Sequence, residues 1–179
     1  LIGRPNVGKS TLFNRISRSR KAIVDPTPGV TRDRQYERVS WRGQFFMLVD
    51  TGGIDEDPDD IMVDTIRDQA LAALDEADVI LFIMDGKSGL MPIDYEVIEL
   101  LRRSEKKVVF VVNKVDGPEV EHERLAPFYE LGAQELWPLS AEHSYGFNDL
   151  MDHLCENLPD DPTPADLPEN TIRMAFFGR

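Results

Sequence analysis

The chain has 179 residues, 41% hydrophobic and 30% charged, with a formal net charge of −13. That is enough apolar material for a sizeable core without metal or disulfide support, and the single cysteine, Cys155, excludes an internal disulfide. No apolar run of about 18 residues occurs, so nothing in the sequence argues for a membrane-spanning helix.

Leu1-Ile2 reads as strand, and it feeds Gly3-Arg4-Pro5-Asn6-Val7-Gly8-Lys9-Ser10. This run fits the G-x-x-x-x-G-K-[ST] spacing of a phosphate-binding loop that opens a helix, here predicted over residues 10–16. Gly3 and Gly8 let successive N–H groups turn inward, toward the positive end of that helix. Lys9 can reach the β- and γ-phosphates as a point charge, and the Ser10 hydroxyl can ligate the magnesium ion that bridges them. Arg4, Pro5, Asn6, Val7 and Thr11 complete the candidate phosphate contacts.

Residues 36–41 and 45–49 read as a hairpin around Arg42-Gly43-Gln44. The second strand delivers Asp50-Thr51-Gly52-Gly53, which puts Asp50 at a carboxyl strand end, where ligands bind in open α/β sheets. Asp50 would hold magnesium through a water, and the Gly53 N–H would approach the γ-phosphate. Taken alone, that run is weak evidence for a site and reads more readily as an ordinary strand-ending turn, which also favours Asp and Gly.

A helix is predicted over 61–76, capped by Asp59 or Asp60, then a strand over 79–84 and a helix over 93–103. The strand predicted over 108–112 leads into Asn113-Lys114-Val115-Asp116. A carboxylate at Asp116 can accept from guanine's ring N–H and amino group, whereas adenine would present an acceptor nitrogen to it. Asn113 would tie this loop to the phosphate loop, and the stem of Lys114 would cover the base plane. A helical segment around 124–131 and a strand over 135–139 precede Ser140-Ala141, whose backbone could offer an N–H to the guanine oxygen. A helix over 147–157 is followed by a proline- and acid-rich linker over 158–170. His122, His143 and His153 do not converge at ligand spacing, so no transition-metal site is assigned.

Taken together, these residues resemble the translation-factor-related GTPases. Gly-Arg-Pro-Asn-Val-Gly-Lys-Ser, with Pro28-Gly29-Val30-Thr31-Arg32-Asp33 and Asp50-Thr51-Gly52-Gly53-Ile54, is most similar to the EngA (Der) family. The resemblance implies a P-loop GTPase fold: a doubly wound α/β domain with about six mostly parallel strands, one antiparallel edge strand, and helices on both faces. It also implies a cytoplasmic bacterial GTPase with two GTPase domains and a KH-like domain, acting in large ribosomal subunit biogenesis. Residues 1–157 would be the first GTPase domain, with its first strand clipped. Phe176-Phe177-Gly178-Arg179 echoes Leu1-Ile2-Gly3-Arg4, so 171–179 would open a second one.

By the same resemblance, Thr31 is the switch threonine that engages magnesium and the γ-phosphate, with Thr27 as a competitor for that role. Ile54 stands where Ras-like proteins place a water-orienting glutamine. The family's potassium stimulation would use the phosphate-loop asparagine, which Asn6 matches; bracing of the loop is the alternative. The catalytic set is then Lys9, Thr31, Asp50 and Gly53, with GTP or GDP, Mg²⁺ and K⁺ as cofactors and a slow intrinsic rate.

Residues 1–42 carry ten Lys/Arg against three Asp/Glu, while the remainder carries ten against thirty. Arg18, Arg20, Lys21, Arg32, Arg34, Arg38 and Arg42 therefore either meet an acidic partner such as ribosomal RNA or form a solvated face. Two rival functions remain: a noncatalytic docking module switched by GTP and GDP, and an ATP-driven kinase or motor in which Asp116 reads no base.

Overall fold

In the computed structural model, residues 1–18, 35–51 and 63–158 are described. The expected switch residues Thr27, Thr31, Gly52, Gly53 and Ile54, nearly all of the linker, and the repeat at 171–179 lie outside those residues.

The described chain runs α1 (Lys9–Arg18), β1 (Gln35–Trp41), β2 (Gln44–Asp50), α2 (Val63–Glu76), β3 (Val79–Asp85), α3 (Pro92–Arg102), β4 (Lys107–Asn113) and α4 (Pro118–Leu125). A 3₁₀ turn (Ala126–Leu131), β5 (Leu136–Pro138) and α5 (Phe147–Asn157) follow. β1 and β2 form the antiparallel hairpin, with Trp41 opposite Gln44. The turn is therefore the two residues Arg42 and Gly43, both at positive φ (47° and 89°), the backbone that matches the twist of flanking strands. β3, β4 and β5 are parallel neighbours.

Leu1-Ile2 joins the two sheets. The Ile2 N–H donates to the Leu81 carbonyl (2.9 Å), the Ile83 N–H to the Ile2 carbonyl (2.7 Å), and the Thr51 N–H to the Leu1 carbonyl (3.4 Å). Ile2 pairs with Phe82 in parallel sense. The expected sheet of about six strands is thus present, with this segment at its centre and β1 as the antiparallel edge.

Alternation along β3 sends its apolar residues to two separate cores, as period-2 geometry requires. Leu81 and Ile83 pack with Leu12, Phe13 and Ile16 of α1 and Leu150, Met151 and Leu154 of α5. Ile80, Phe82 and Met84 pack with Ile66, Ala70 and Ala73 of α2, Val97, Ile98 and Leu101 of α3, and Phe128. Helices therefore cover both faces.

The helical reading over 124–131 needs correction: α4 begins earlier, at Pro118, and the later part is the 3₁₀ turn. Pro118 at the first helical position, with Glu119 and Glu121 in the first turn, explains the earlier start.

Candidate nucleotide site

The phosphate loop sits between the Ile2 pairing and the first turn of α1. Gly8 holds φ at 100°, and a Cβ there would fall 2.2 Å from Asn113 Nδ2. The absence of a side chain is what admits Asn113. Asn6 also has a positive φ of 62°, and its side chain is exposed. Lys9 is buried, and its Nζ donates to the carbonyls of Gly3 (2.8 Å) and Arg4 (2.9 Å).

The Arg4 guanidinium turns to α3. Its Nε contacts both oxygens of Asp94 (2.9 and 2.8 Å), and Nη2 donates to Ser88 Oγ (3.2 Å) and the Gly89 carbonyl (3.0 Å). Asp94 is fully buried and also accepts the Met91 N–H at 2.9 Å. Burial pushes its carboxyl above the ordinary range, against the opposing pull of the Met91 hydrogen bond and Arg4.

Ser10 and Asp50, separated by 40 residues in sequence, meet here: Ser10 Oγ donates to Asp50 Oδ2 at 3.4 Å. Two adjacent oxygens at the phosphate end of the loop suit a hard cation such as magnesium. Thr51 fixes the end of β2, its Oγ1 donating to the Leu1 carbonyl at 2.7 Å. Thr11 is exposed and Val7 is buried in the core.

Asn113 connects the two halves of the site. Its Nδ2 donates to the Val7 carbonyl (2.8 Å), and its Oδ1 accepts the Ala141 N–H (2.9 Å). The expected tie to the phosphate loop is therefore present. Of the backbone N–H groups that could meet a base oxygen, that of Ser140 donates to the Tyr145 carbonyl (2.9 Å) and that of Ala141 to Asn113, so a base would have to share one of them. Val115 is buried, its N–H donating to the Leu139 carbonyl at 2.9 Å.

Lys114 has φ of 66°, and its Nζ reaches the Asn6 carbonyl (2.7 Å) and Asp85 Oδ2 (2.6 Å). Asp116 receives Ser140 Oγ at 3.0 Å and Lys87 Nζ at 2.8 Å. The hydrogen bond from Lys87 holds the Asp116 carboxyl below the usual range; slight burial opposes this and Ser140 assists.

Sequence reasoning missed Asp85, Lys87 and Arg15. Asp85 closes the apolar run of β3 just as Asp50 closes that of β2, and that parallel was the available signal. Its carboxylate also accepts the N–H groups of Lys87 (2.8 Å) and Ser88 (3.3 Å). Burial would raise the Asp85 carboxyl, but the Lys114 and backbone hydrogen bonds outweigh it and hold it below its ordinary range. Among the expected surface cations, Arg42 pairs with Asp152 (2.5 Å) and Arg38 lies 4.9 Å from the Phe45 ring centroid; Arg20, Lys21, Arg32 and Arg34 lie outside the described residues.

A phosphate loop at the carboxyl end of the central strand segment, facing an Asn-Lys-x-Asp loop and tied to it through Asn113, defines the P-loop GTPase fold. Residues 1–114 match the model of the 50S ribosome-binding GTPase family, and the chain belongs to that family. It is 52% identical over its whole length to GTPase Der of Geobacter metallireducens, of which it spans 40%. It is 48% identical over its whole length to GTPase Der of Clostridium tetani, again spanning 40% of that protein. The chain thus covers less than half the length of these curated relatives. Among solved structures, Era of Aquifex aeolicus bound to GDP and AlF4⁻ is similar at a TM-score of 0.68 and 29% identity, over 93% of this chain and 58% of Era. The G domain of the T. maritima FeoB iron transporter aligns at a TM-score of 0.58 and 25% identity, over 87% of this chain and 94% of that domain.

Proposed function

We propose that this chain binds GTP and GDP and hydrolyses GTP slowly, as the switch domain of an EngA/Der-type protein that serves large ribosomal subunit biogenesis in the bacterial cytoplasm. The observation that carries the reading is the Asn113 bridge between the Val7 carbonyl and the Ala141 N–H. It joins a phosphate cradle to a base-reading loop, which is what a guanine nucleotide spans.

In this reading Gly3, Arg4, Pro5, Asn6, Val7, Gly8, Lys9, Ser10 and Thr11 form the phosphate end, Lys9 stabilising the developing charge. Ser10 and Asp50, the latter through a water, and Thr31 hold Mg²⁺, which when bound neutralises phosphate charge. Asn6 contributes to a K⁺ site. Thr51, Gly52, Gly53 and Ile54 flank the γ-phosphate, with the Gly53 N–H directed to it. Asn113, Lys114, Val115, Asp116, Ser140 and Ala141 form the base end.

Residues 1–157 act as one GTPase domain, 158–170 as a linker, and 171–179 as the opening of a second such domain. A KH-like domain elsewhere in the protein would make the firm contact with ribosomal RNA. Support for a ribosomal partner comes from the family's description and from Era, solved with MgGDPNP and nucleotides 1506–1542 of 16S ribosomal RNA.

The test is nucleotide binding by competition followed by phosphate release. GTP and GDP binding that ATP does not displace, with slow release of phosphate from GTP, is the expected result. Tight ATP binding with weak GTP binding would reject the proposal in favour of a kinase or motor.

A further inference from the structure

We infer that Arg15 is the positioning residue for the loop that reads the 6-oxo group of guanine, an inference that rests on the guanine-nucleotide reading above. Arg15 lies on the helix that begins at Lys9, and its side chain crosses to the loop after β5. Its Nε donates to the Ala141 carbonyl, Nη1 to the Ser144 hydroxyl, and Nη2 to the Glu142 carbonyl at 2.6 Å. The guanidinium carbon lies 6.0 Å from the Phe147 ring centroid. A planar fork with several donors can hold three acceptors at once, which an ammonium group does not reproduce.

The consequence concerns one residue. The Ala141 carbonyl is held by Arg15 and its N–H by Asn113. The two peptide planes on either side of its Cα are therefore fixed by residues from α1 and from the end of β4. The rest of the loop is held by Ser144 N–H to the Ser140 carbonyl (2.8 Å), Ser140 N–H to the Tyr145 carbonyl (2.9 Å) and Ser140 Oγ to Asp116 (3.0 Å), with Ser144 at a φ of 68°; none of these bonds involves the Ala141 carbonyl. Without Arg15, no other described hydrogen bond orients the Ala141 carbonyl. The Ala141 N–H would then lose the fixed direction in which a purine 6-oxo group meets it. Asp116, held by Ser140 and Lys87, shares no hydrogen bond with Arg15 and would read the ring N–H and amino group instead of the 6-oxo group.

The experiment compares GDP, 6-thio-GDP and IDP binding to the full chain and to Arg15→Lys and Ser144→Ala, alongside thermal melting. Sulfur at position 6 weakens only that acceptor, whereas IDP lacks only the amino group that Asp116 reads. Arg15→Lys should shrink the preference for GDP over 6-thio-GDP by roughly fivefold, the scale of one neutral hydrogen bond, while the preference for GDP over IDP persists. Ser144→Ala should move the same ratio in the same direction by less, and it decides the matter if Arg15→Lys does not melt cooperatively. Overall weaker binding or lower melting with both ratios intact would make Arg15 a mere brace and overturn the inference. So would an original chain that rejects IDP but not 6-thio-GDP, though the guanine reading would survive. A chain indifferent to IDP would fail the guanine reading itself, and the inference with it.

Discussion

Gly8 and Asn113 approach so closely that a Cβ on residue 8 would lie 2.2 Å from Asn113 Nδ2. The same nitrogen donates to the Val7 carbonyl at 2.8 Å, so any side chain at position 8 displaces the bond that joins the two halves of the site.

Gly8→Ala should therefore be costly twice over. The left-handed backbone at φ 100° strains any residue with a Cβ by about 1–3 kcal/mol. Asn113 must also move. We expect a lower urea midpoint and nucleotide binding weakened by at least about tenfold, read by equilibrium binding of a fluorescent GDP. A binding constant within twofold of the original would contradict the close approach.

Asp116→Asn should exchange one base for another. An amide can donate to the 2-oxo group of xanthine where a carboxylate accepted from the guanine amino group. Leaving those groups mismatched should cost roughly 10- to 100-fold in GDP affinity, with XDP becoming the preferred ligand. Unchanged GDP affinity in the variant would remove Asp116 from base recognition.

Arg4→Ala should destabilise by about 3 kcal/mol at pH 7, because it leaves the fully buried Asp94 carboxylate without its cation. The pH dependence follows from the raised pKa of Asp94. A carboxyl whose folded pKa lies above its unfolded value favours folding below the unfolded value, and that advantage is lost as pH rises through the folded one. Removing Arg4 should raise the folded value further, so the penalty should shrink as pH falls from 7 toward 5. Urea midpoints of both proteins across that range check the sign; a penalty that grows on acidification would refute it.

Single-turnover hydrolysis of GTP should be faster in potassium chloride than in sodium chloride at equal ionic strength. A cation supplied to the transition state in related phosphoryl-transfer sites is worth about 10³–10⁵-fold, so an acceleration of at least about tenfold is expected. Asn6→Ala should abolish the difference. Equal, near-zero rates in both salts with GTP binding intact would instead support the docking module.

The parts of the site that were legible in the sequence are those whose chemistry is carried by short spacing. Lys9 and Ser10 follow Gly8 directly, and Asn113 to Asp116 form one turn after an apolar run. The strands were legible for the same reason: β3 and β4 are nearly unbroken apolar stretches, and α5 matches its expected span. What could not be read is pairing across the chain. Nothing near Arg4 points to Asp94, 90 residues on, and nothing near Arg15 points to Ala141, 126 residues on. The early start of α4 was missed because its polar first turn carries little of the apolar periodicity that marks a buried helix.

The Asn113 bridge also has a temporal meaning. Val7, Asn113 and Ala141 are made in that order, with 106 residues between the first two and 28 between the last two. A growing chain that has exposed its entire phosphate loop still lacks the groups that hold it in shape, and contacts this distant form late. In the proposed reading, the ability to hold a nucleotide therefore arrives near the end of synthesis of this unit, once β5 and the turn beyond it have docked beside β4.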